Sequence, residues 1–391
     1  MLGKPVLWVI SELFYPEETS TGYIMTEIAN AMTKKYDVRV ICGPEVYDAN
    51  KKRDEASKQQ LDSSIQLIRV NGISENKKSS LSRAKKFILI SRRLFKVAKN
   101  SIKDGDTVFM VSNPFPLILS MAKLKKNRNF RLVMLVHDVF PEGMLLRFHI
   151  KGFPAKMLMN KFNHAYANAD TLISLGRDMC DLLDRKTGGK TEIVQIENWA
   201  DIENIHPLER QKEEKIVLQY AGNIGSAQGI LEVIQFVKDA ANPRLRFEIW
   251  GTGVMEESLK QYIIENGLQD AVSFKGPYFR SQQEQVLNAC DLALVSLNKN
   301  MYGRGVPSKT YNILAAGKPV LYIGPAKTEI GMMVEEEGVG FAFKNEEKES
   351  IVEFLRTLTP EILAGMGTKA RMVAEQKYSE PIILDKFRKV L

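Results

Sequence analysis

The sequence predicts an α/β protein made of two doubly wound parallel sheets, and three observations predict it. Short runs rich in Val, Ile and Leu alternate with segments of helical period along the chain. The alternation pauses near residue 200, at a stretch rich in Pro, Asn and charge, and then restarts. The length, 391 residues, suits two domains of ordinary size.

The first half opens on Pro5–Leu13, apolar enough for a buried parallel strand. Thr21–Lys34 follows with helical spacing at Ile24, Ile28 and Met32. Asp37–Cys42 and Ile65–Val70 are the next strands, separated by a charged loop over Asp48–Ser64. Leu81–Lys103 is a long basic helix, and Val108–Ser112, Arg131–Val136 and Thr171–Ser174 are further strands with helices between them. Glu197–Pro207 and Leu208–Glu214 have the composition of a linker.

The second half repeats the plan. Strand Lys215–Tyr220 runs into a glycine-rich turn, then helix Ile230–Ala241 and strand Leu245–Trp250. Helix Glu256–Glu265, strand Val272–Phe274 and helix Ser281–Asn288 come next. Strands Leu292–Ser296 and Pro319–Ile323 flank helix Ser308–Ala316. The expected division is 1–200, 201–375 and a C-terminal helix, 376–391, that returns to the first domain. Open α/β sheets bind ligands outside the carboxyl ends of their strands, so two facing sheets share one cleft.

Hydrophobic residues are 44% and charged residues 26%, which excludes a disordered chain. The net charge of +8 is unevenly placed. Residues 1–200 hold 32 Lys+Arg against 21 Asp+Glu, and residues 201–391 hold 23 against 26. The basic half predicts an anionic partner: nucleic acid, a phospholipid surface or a phosphorylated substrate. No apolar stretch is long enough to span a membrane, and the first residues read as a strand, not a signal peptide. Cys42, Cys180 and Cys290 are widely spaced, beside four histidines and no CxxC. That excludes a disulfide framework and a zinc cage, and points to the cytoplasm.

Five segments carry candidate chemistry. Phe14–Gly22 leads into a helix, where Gly22 admits close backbone approach and Ser20 or Thr21 caps the helix; the plainer reading is a capped turn. Tyr220–Gly229 (YAGNIGSAQG) spaces Gly222, Gly225 and Gly229 for a tight turn around a phosphate, or for the turn alone. Gly303–Pro319 places Ser308 and Lys309 at a helix start behind Pro307, with Arg304 nearby and Gly317 ending the helix. VHDVFPE (136–142) sets His137 and Asp138 at a strand's carboxyl end, to act as a base, to orient, or to bind a sugar hydroxyl.

The fifth segment is the basic helix. Ala84, Phe87, Ile88, Ser91, Leu94, Phe95, Ala98 and Ile102 form one stripe, leaving Leu89, Ile90 and Val97 apolar among the cations. Lys85, Lys86, Arg92, Arg93, Lys96 and Lys99 decorate the rest, and no acid occurs from Lys77 to Lys103. Such a helix either lies on anionic lipid or packs on its own sheet with a solvated basic face. Met144–Lys161 has a similar mixture and extends the same surface.

These features together resemble the family-four retaining glycosyltransferases of the GT-B fold, over nearly the whole chain and in order. The matching segments are ELFYPEETSTGYIMTEIANAM, VHDVFPE, IENWADIENIHP, YAGNIGSAQG, WGTG and GVPSKTYNILAAGKPV. GVPSKTYNILAAGKPV and GNIGSAQG look especially like the bacterial capsule, O-antigen and exopolysaccharide subgroup, including fucosamine-transferase-like members. The broader family has Arg and Lys where this chain has Asn223 and Gln228, and a Glu-x7-Glu pair where it has Arg304 and Asn312.

The resemblance implies two Rossmann-like domains facing across a cleft: residues 1–200 bind the acceptor and dock on the membrane, and 201–375 bind the nucleotide sugar. It implies retaining transfer of a sugar, UDP-linked, to a lipid-diphosphate-linked saccharide, in the cytoplasm at the inner membrane face. Gly22, Gly222, Asn223, Gly225, Gln228, Gly251, Gly253, Tyr278, Arg304, Ser308, Lys309 and Asn312 are the expected donor-binding residues. His137, Asp138 and Lys309 are the expected catalytic ones. No cofactor or metal is expected. The alternatives are a sugar-nucleotide epimerase of the same shape, or a non-catalytic lipid- or nucleic-acid-binding protein. Aromatics do not interleave with the basic residues, which argues against nucleic acid.

Overall fold

A computed structural model describes residues 3–17, 19–45, 59–72, 80–209 and 215–391, with the side chains of 80–84, 146 and 147 outside that description. Most of the expected Asp48–Ser64 loop, the linker end at 210–214, the stripe position Ala84 and the start of the acid-free run at Lys77 fall outside the described residues.

The chain divides into two compact units. The first holds residues 1–197, Gly303–Gly305 and Leu384–Leu391, and the second holds Asn198–Tyr302 and Val306–Ile383. Three residues of a distant loop thus join the first unit, as do the last two turns of the chain.

The first sheet has seven strands: β1 (Val6–Ser11), β2 (Asp37–Cys42), β3 (Gln66–Arg69), β4 (Thr107–Val111), β5 (Arg131–Val136), β6 (Thr171–Ser174) and β7 (Glu192–Gln195). Their spatial order is β3-β2-β1-β4-β5-β6-β7, all parallel. The second sheet has six: β8 (Ile216–Ala221), β9 (Leu245–Trp250), β10 (Val272–Gly276), β11 (Leu292–Ser296), β12 (Val320–Gly324) and β13 (Gly340–Lys344). Their order is β10-β9-β8-β11-β12-β13, again parallel. The two orders are the same doubly wound pattern, which reverses beside β1 and beside β8. Ligands of such sheets bind at that reversal.

The central strands are Val/Ile/Leu runs buried on both faces, as helices on each side of a parallel sheet require. In the second unit Leu218, Phe247, Ile249, Leu292 and Leu321 meet Ile230, Val233, Ile234 and Val237 of the Ile230–Ala240 helix in one core. The sequence reading omits β7 and β13. Both are edge strands with half-exposed residues, EIVQ and GFAFK, so neither shows a continuous apolar run.

The final helix is tied to the first sheet. Phe387 packs on Phe109, and Arg131 donates to the Val390 carbonyl at 2.7 Å. Tyr36 donates its hydroxyl to the Leu391 carbonyl.

Candidate active site

In the first unit, His137 and Asp138 follow the carboxyl end of β5. Their backbone N–H groups both donate to the buried Ser112 hydroxyl, at 3.1 and 3.2 Å, which fixes the turn beyond β4 and β5 together. The His137 Nδ1 lies 3.2 Å from the Thr21 hydroxyl in the first turn of the Ser20–Met32 helix. Its Nε2 is buried with no hydrogen-bond partner. Burial disfavours the imidazolium and takes the pKa from 6.5 down to about 4, so the ring is neutral at neutral pH. Asp138 is solvent-accessible, yet surrounding protein pushes its pKa up, while the Asn113 amide at 2.8 Å holds the ionised form.

Two details of the neighbouring turn correct the sequence reading. Thr19, not Ser20 or Thr21, caps the helix, accepting from the Gly22 N–H at 3.3 Å. A Cβ at Gly22 would stand 2.1 Å from the Glu17 carbonyl oxygen. The glycine is thus demanded by the chain's own loop, without invoking a ligand.

Glu142 adds a group that the motif reading left without a role. Its Oε1 takes the Lys186 ammonium at 2.6 Å, both side chains largely buried, and its Oε2 is buried without a partner. Arg304 comes to this unit, not to the second one with Lys309. Its carbonyl accepts from the Val139 N–H at 3.0 Å, and the Gly303 N–H donates to the buried Asp178 carboxylate at 2.9 Å. Burial lowers the pKa of Arg304, with Glu142 opposing. Lys186 and Arg304 are neighbours only in space, which no local spacing in the sequence reveals.

In the second unit the glycines explain one another. Gly222 has φ +151°, and its N–H donates to the Trp250 carbonyl at 2.9 Å. A Cβ at Gly251 would fall 1.9 Å from the Gly222 oxygen, and one at Gly253 would fall 2.1 Å from the Ile224 oxygen. The turn after β9 therefore packs backbone to backbone against the loop after β8. The Gln228 side chain turns back to accept from the Gly225 N–H at 3.1 Å, so it braces the loop. Asn223 is exposed on that loop. Tyr278 meets Trp250 edge to face at 6.4 Å, and burial raises its pKa to about 12.

Ser308 precedes the Lys309–Ala315 helix. The Lys309 ammonium is buried, has no hydrogen-bond partner, and lies 3.3 Å from the centroid of the Tyr220 ring. Burial alone drives its pKa well below 10.5. Asn312, expected to touch the donor, is instead a buried brace. Its oxygen accepts from the Asp201 N–H at 3.0 Å, and its amide donates to Gln283 at 3.2 Å. Arg280 pairs with the same Asp201 at 3.1 Å. Both ends of the Asn312 amide are thereby committed to the linker and the neighbouring helix.

In the basic helix, Ser80–Ser101, the expected stripe positions Ser91, Leu94 and Ala98 are buried, as is Ile102 just beyond it. Ile88 is exposed instead, and Lys86 and Ile90 join the buried face, in line with Leu94 and Ala98 at i, i+4 spacing. Lys86 is therefore withdrawn as a docking residue: it points inward, 3.9 Å from the equally buried Glu12. Ile90 is likewise core, not an apolar group among cations. Lys85, Arg92, Arg93, Lys96 and Lys99 are exposed. Arg93 also donates to the Asn71 and Gly72 carbonyls. Phe148, Phe153 and Met157 leave apolar side chains exposed on the same unit, Phe153 at 79%.

Residues 201–361 match the family model described as Glycosyl transferases group 1. The chain is 29% identical to "Probable glycosyltransferase WbjE" of Pseudomonas aeruginosa over 393 residues, covering 97% of this chain and 96% of that one. Sucrose-phosphate synthase from Thermosynechococcus elongatus has a similar structure, with a TM-score of 0.75 at 14% identity over 99% of this chain and 98% of that one. Anabaena HepE in complex with UDP gives a TM-score of 0.66 at 14% identity, over 99% of each chain. The fold is GT-B, two Rossmann-like parallel-sheet domains. The family match and the relative support glycosyl transfer as the class of reaction. No described helix is long and apolar enough to cross a membrane, and no cluster of potential metal ligands occurs among the described residues.

Proposed function

We propose that this chain is a retaining glycosyltransferase of cell-surface polysaccharide synthesis, moving a sugar from a UDP-linked donor to a lipid-diphosphate-linked saccharide. One observation carries the donor half of this reading: the buried, hydrogen-bond-free Lys309 ammonium beside Gly222, inside the stretch that matches the family. A buried cation without an anion is costly, and a diphosphate supplies the missing charge. The similar HepE chain binds UDP, which supports that nucleotide.

In this scheme the bond from the sugar C1 to the diphosphate oxygen breaks as the acceptor oxygen bonds to C1 from the same face. The acceptor's proton passes to the departing diphosphate oxygen. Lys309 stabilises the charge that develops there, which is electrostatic catalysis by a preplaced group. The neutral His137 and the Asn113-held Asp138 orient hydroxyl groups of the donor or acceptor. The scheme uses no metal. The exposed cations of the Ser80–Ser101 helix, with Phe148, Phe153 and Met157, hold the first unit on the anionic inner face of the membrane.

A thermal-shift screen with UDP-, GDP-, CDP-, ADP- and dTDP-sugars tests the donor. UDP-sugars are expected to raise Tm, because a ligand that binds only the folded state stabilises it. A rise confined to another nucleotide refutes UDP, and conversion of the donor to its epimer without acceptor refutes transfer.

A further inference from the structure

We propose that Tyr220 is a positioning residue for the donor site: its ring seats the Lys309 ammonium at the flank of Gly222, where an incoming diphosphate meets a cation already in place. The inference rests on the donor reading above and adds a residue to it.

Geometry carries the argument. The ammonium lies 3.3 Å from the ring centroid, over the face where the quadrupole attracts a cation. Tyr220 is 1% exposed in the core of the second unit, so its ring has no freedom to leave. Its hydroxyl donates to the Asn223 carbonyl at 2.7 Å, so the same side chain also fixes the loop after β8. Gly222 completes the seat. A Cβ there would stand 3.6 Å from the Lys309 Cδ and from the Tyr220 hydroxyl, and 3.9 Å from the ammonium. Its absence, at φ +151°, leaves a gap the size of a methyl group beside the cation.

The chemistry of the seat suits an anionic ligand. A carboxylate in the ring's place would neutralise Lys309 and compete with a diphosphate. A ring face attracts the ammonium without supplying a counter-charge, so the charge stays available. Burial disfavours the protonated lysine, and no anionic side chain contributes to its pKa. An arriving diphosphate relieves that cost and stabilises the protonated form.

The test uses the full chain and three probes: UDP, inorganic pyrophosphate and uridine, with binding read by calorimetry. Tyr220→Phe keeps the ring and should bind UDP and pyrophosphate within about threefold of the parent. Tyr220→Leu should weaken both by about tenfold or more and leave uridine unchanged. In a Lys309→Ala background the leucine change should add less than about twofold, since its effect runs through the ammonium. Tyr220→Met, a more flexible ring-free side chain, serves if the leucine variant does not fold. Equal losses for uridine, or an undiminished loss in the Lys309→Ala background, would assign Tyr220 a merely structural role and overturn the proposal. A parent protein that binds neither UDP nor pyrophosphate refutes the donor reading itself, and this inference with it. A parent that binds both, with a leucine variant that matches it, refutes only the inference.

Discussion

Among the described residues, both units bury side-chain nitrogens that find no hydrogen-bond partner: the His137 Nε2 in the first, and the Lys309 Nζ in the second, where the Trp250 Nε1 is another. The sheets share one strand order, so the two groups occupy comparable ground. The solutions differ. The imidazole sheds its proton, with a pKa near 4, and becomes a neutral polar group. The ammonium is laid on an aromatic face instead. A neutral imidazole beside Thr21 and Asp138 suits hydroxyl groups, while an uncompensated cation beside a glycine suits a phosphate. In the proposed reaction, the first unit's chemistry meets the sugar's hydroxyls and the second unit's meets the leaving group.

Lys309→Ala is the largest break in that comparison. Turnover should fall by about 10²–10³-fold in kcat/KM, the usual cost of removing a preplaced group that stabilises developing charge. Thermal unfolding should change little, or Tm should rise, because a desolvated cation has been removed. Near-normal turnover with a donor that binds would move the leaving-group role elsewhere.

The His137 side of the comparison is sharpened by pH. Its folded pKa, about 4, lies below the ordinary 6.5, so the unfolded chain takes up the proton first as pH falls. The stability gained by keeping the ring neutral is complete above pH 6.5 and is lost as pH falls towards 4. His137→Gln has no such proton to gain. Denaturant titrations at pH 7 and pH 4.5 should show a larger loss for the parent than for the glutamine variant. Parallel losses would mean that the imidazole is not buried neutral.

The fold was legible where strands are buried on both faces, since Val6–Ser11, Arg131–Val136 and Leu292–Ser296 are short, continuous apolar runs. β7 and β13 were not, because these edge strands are only half-buried and carry Glu, Gln and Lys. The site was legible in part. His137–Asp138 and the glycine loop are contiguous motifs whose order fixes where they lie. The seat of Lys309 on Tyr220 and the Glu142–Lys186 pair join residues from separate elements, and only the folded chain brings them together. Asn312 shows the converse: a motif position was readable, yet its amide is engaged by Asp201 and Gln283, neither of them near it in sequence.

The smallest expected effects separate the two faces of the basic helix. Lys86 and Ile90 flank the expected stripe and share its buried face, and periodicity alone did not show which lysine faces inward. Lys85, Arg92, Lys96 and Lys99 stand exposed, whereas Lys86 faces Glu12 in the interior. Neutralising any one of the four to Ser should weaken partitioning to liposomes containing anionic lipid by about fivefold, near 1 kcal/mol per charge, and leave Tm unchanged. Lys86→Ser should do the reverse: it leaves partitioning intact and lowers Tm, because it removes the buried ammonium that faces the buried Glu12 carboxylate and shortens the side chain. Flotation and thermal unfolding read the two outcomes independently. A Lys86 variant that loses lipid binding while keeping its Tm would return that lysine to the surface.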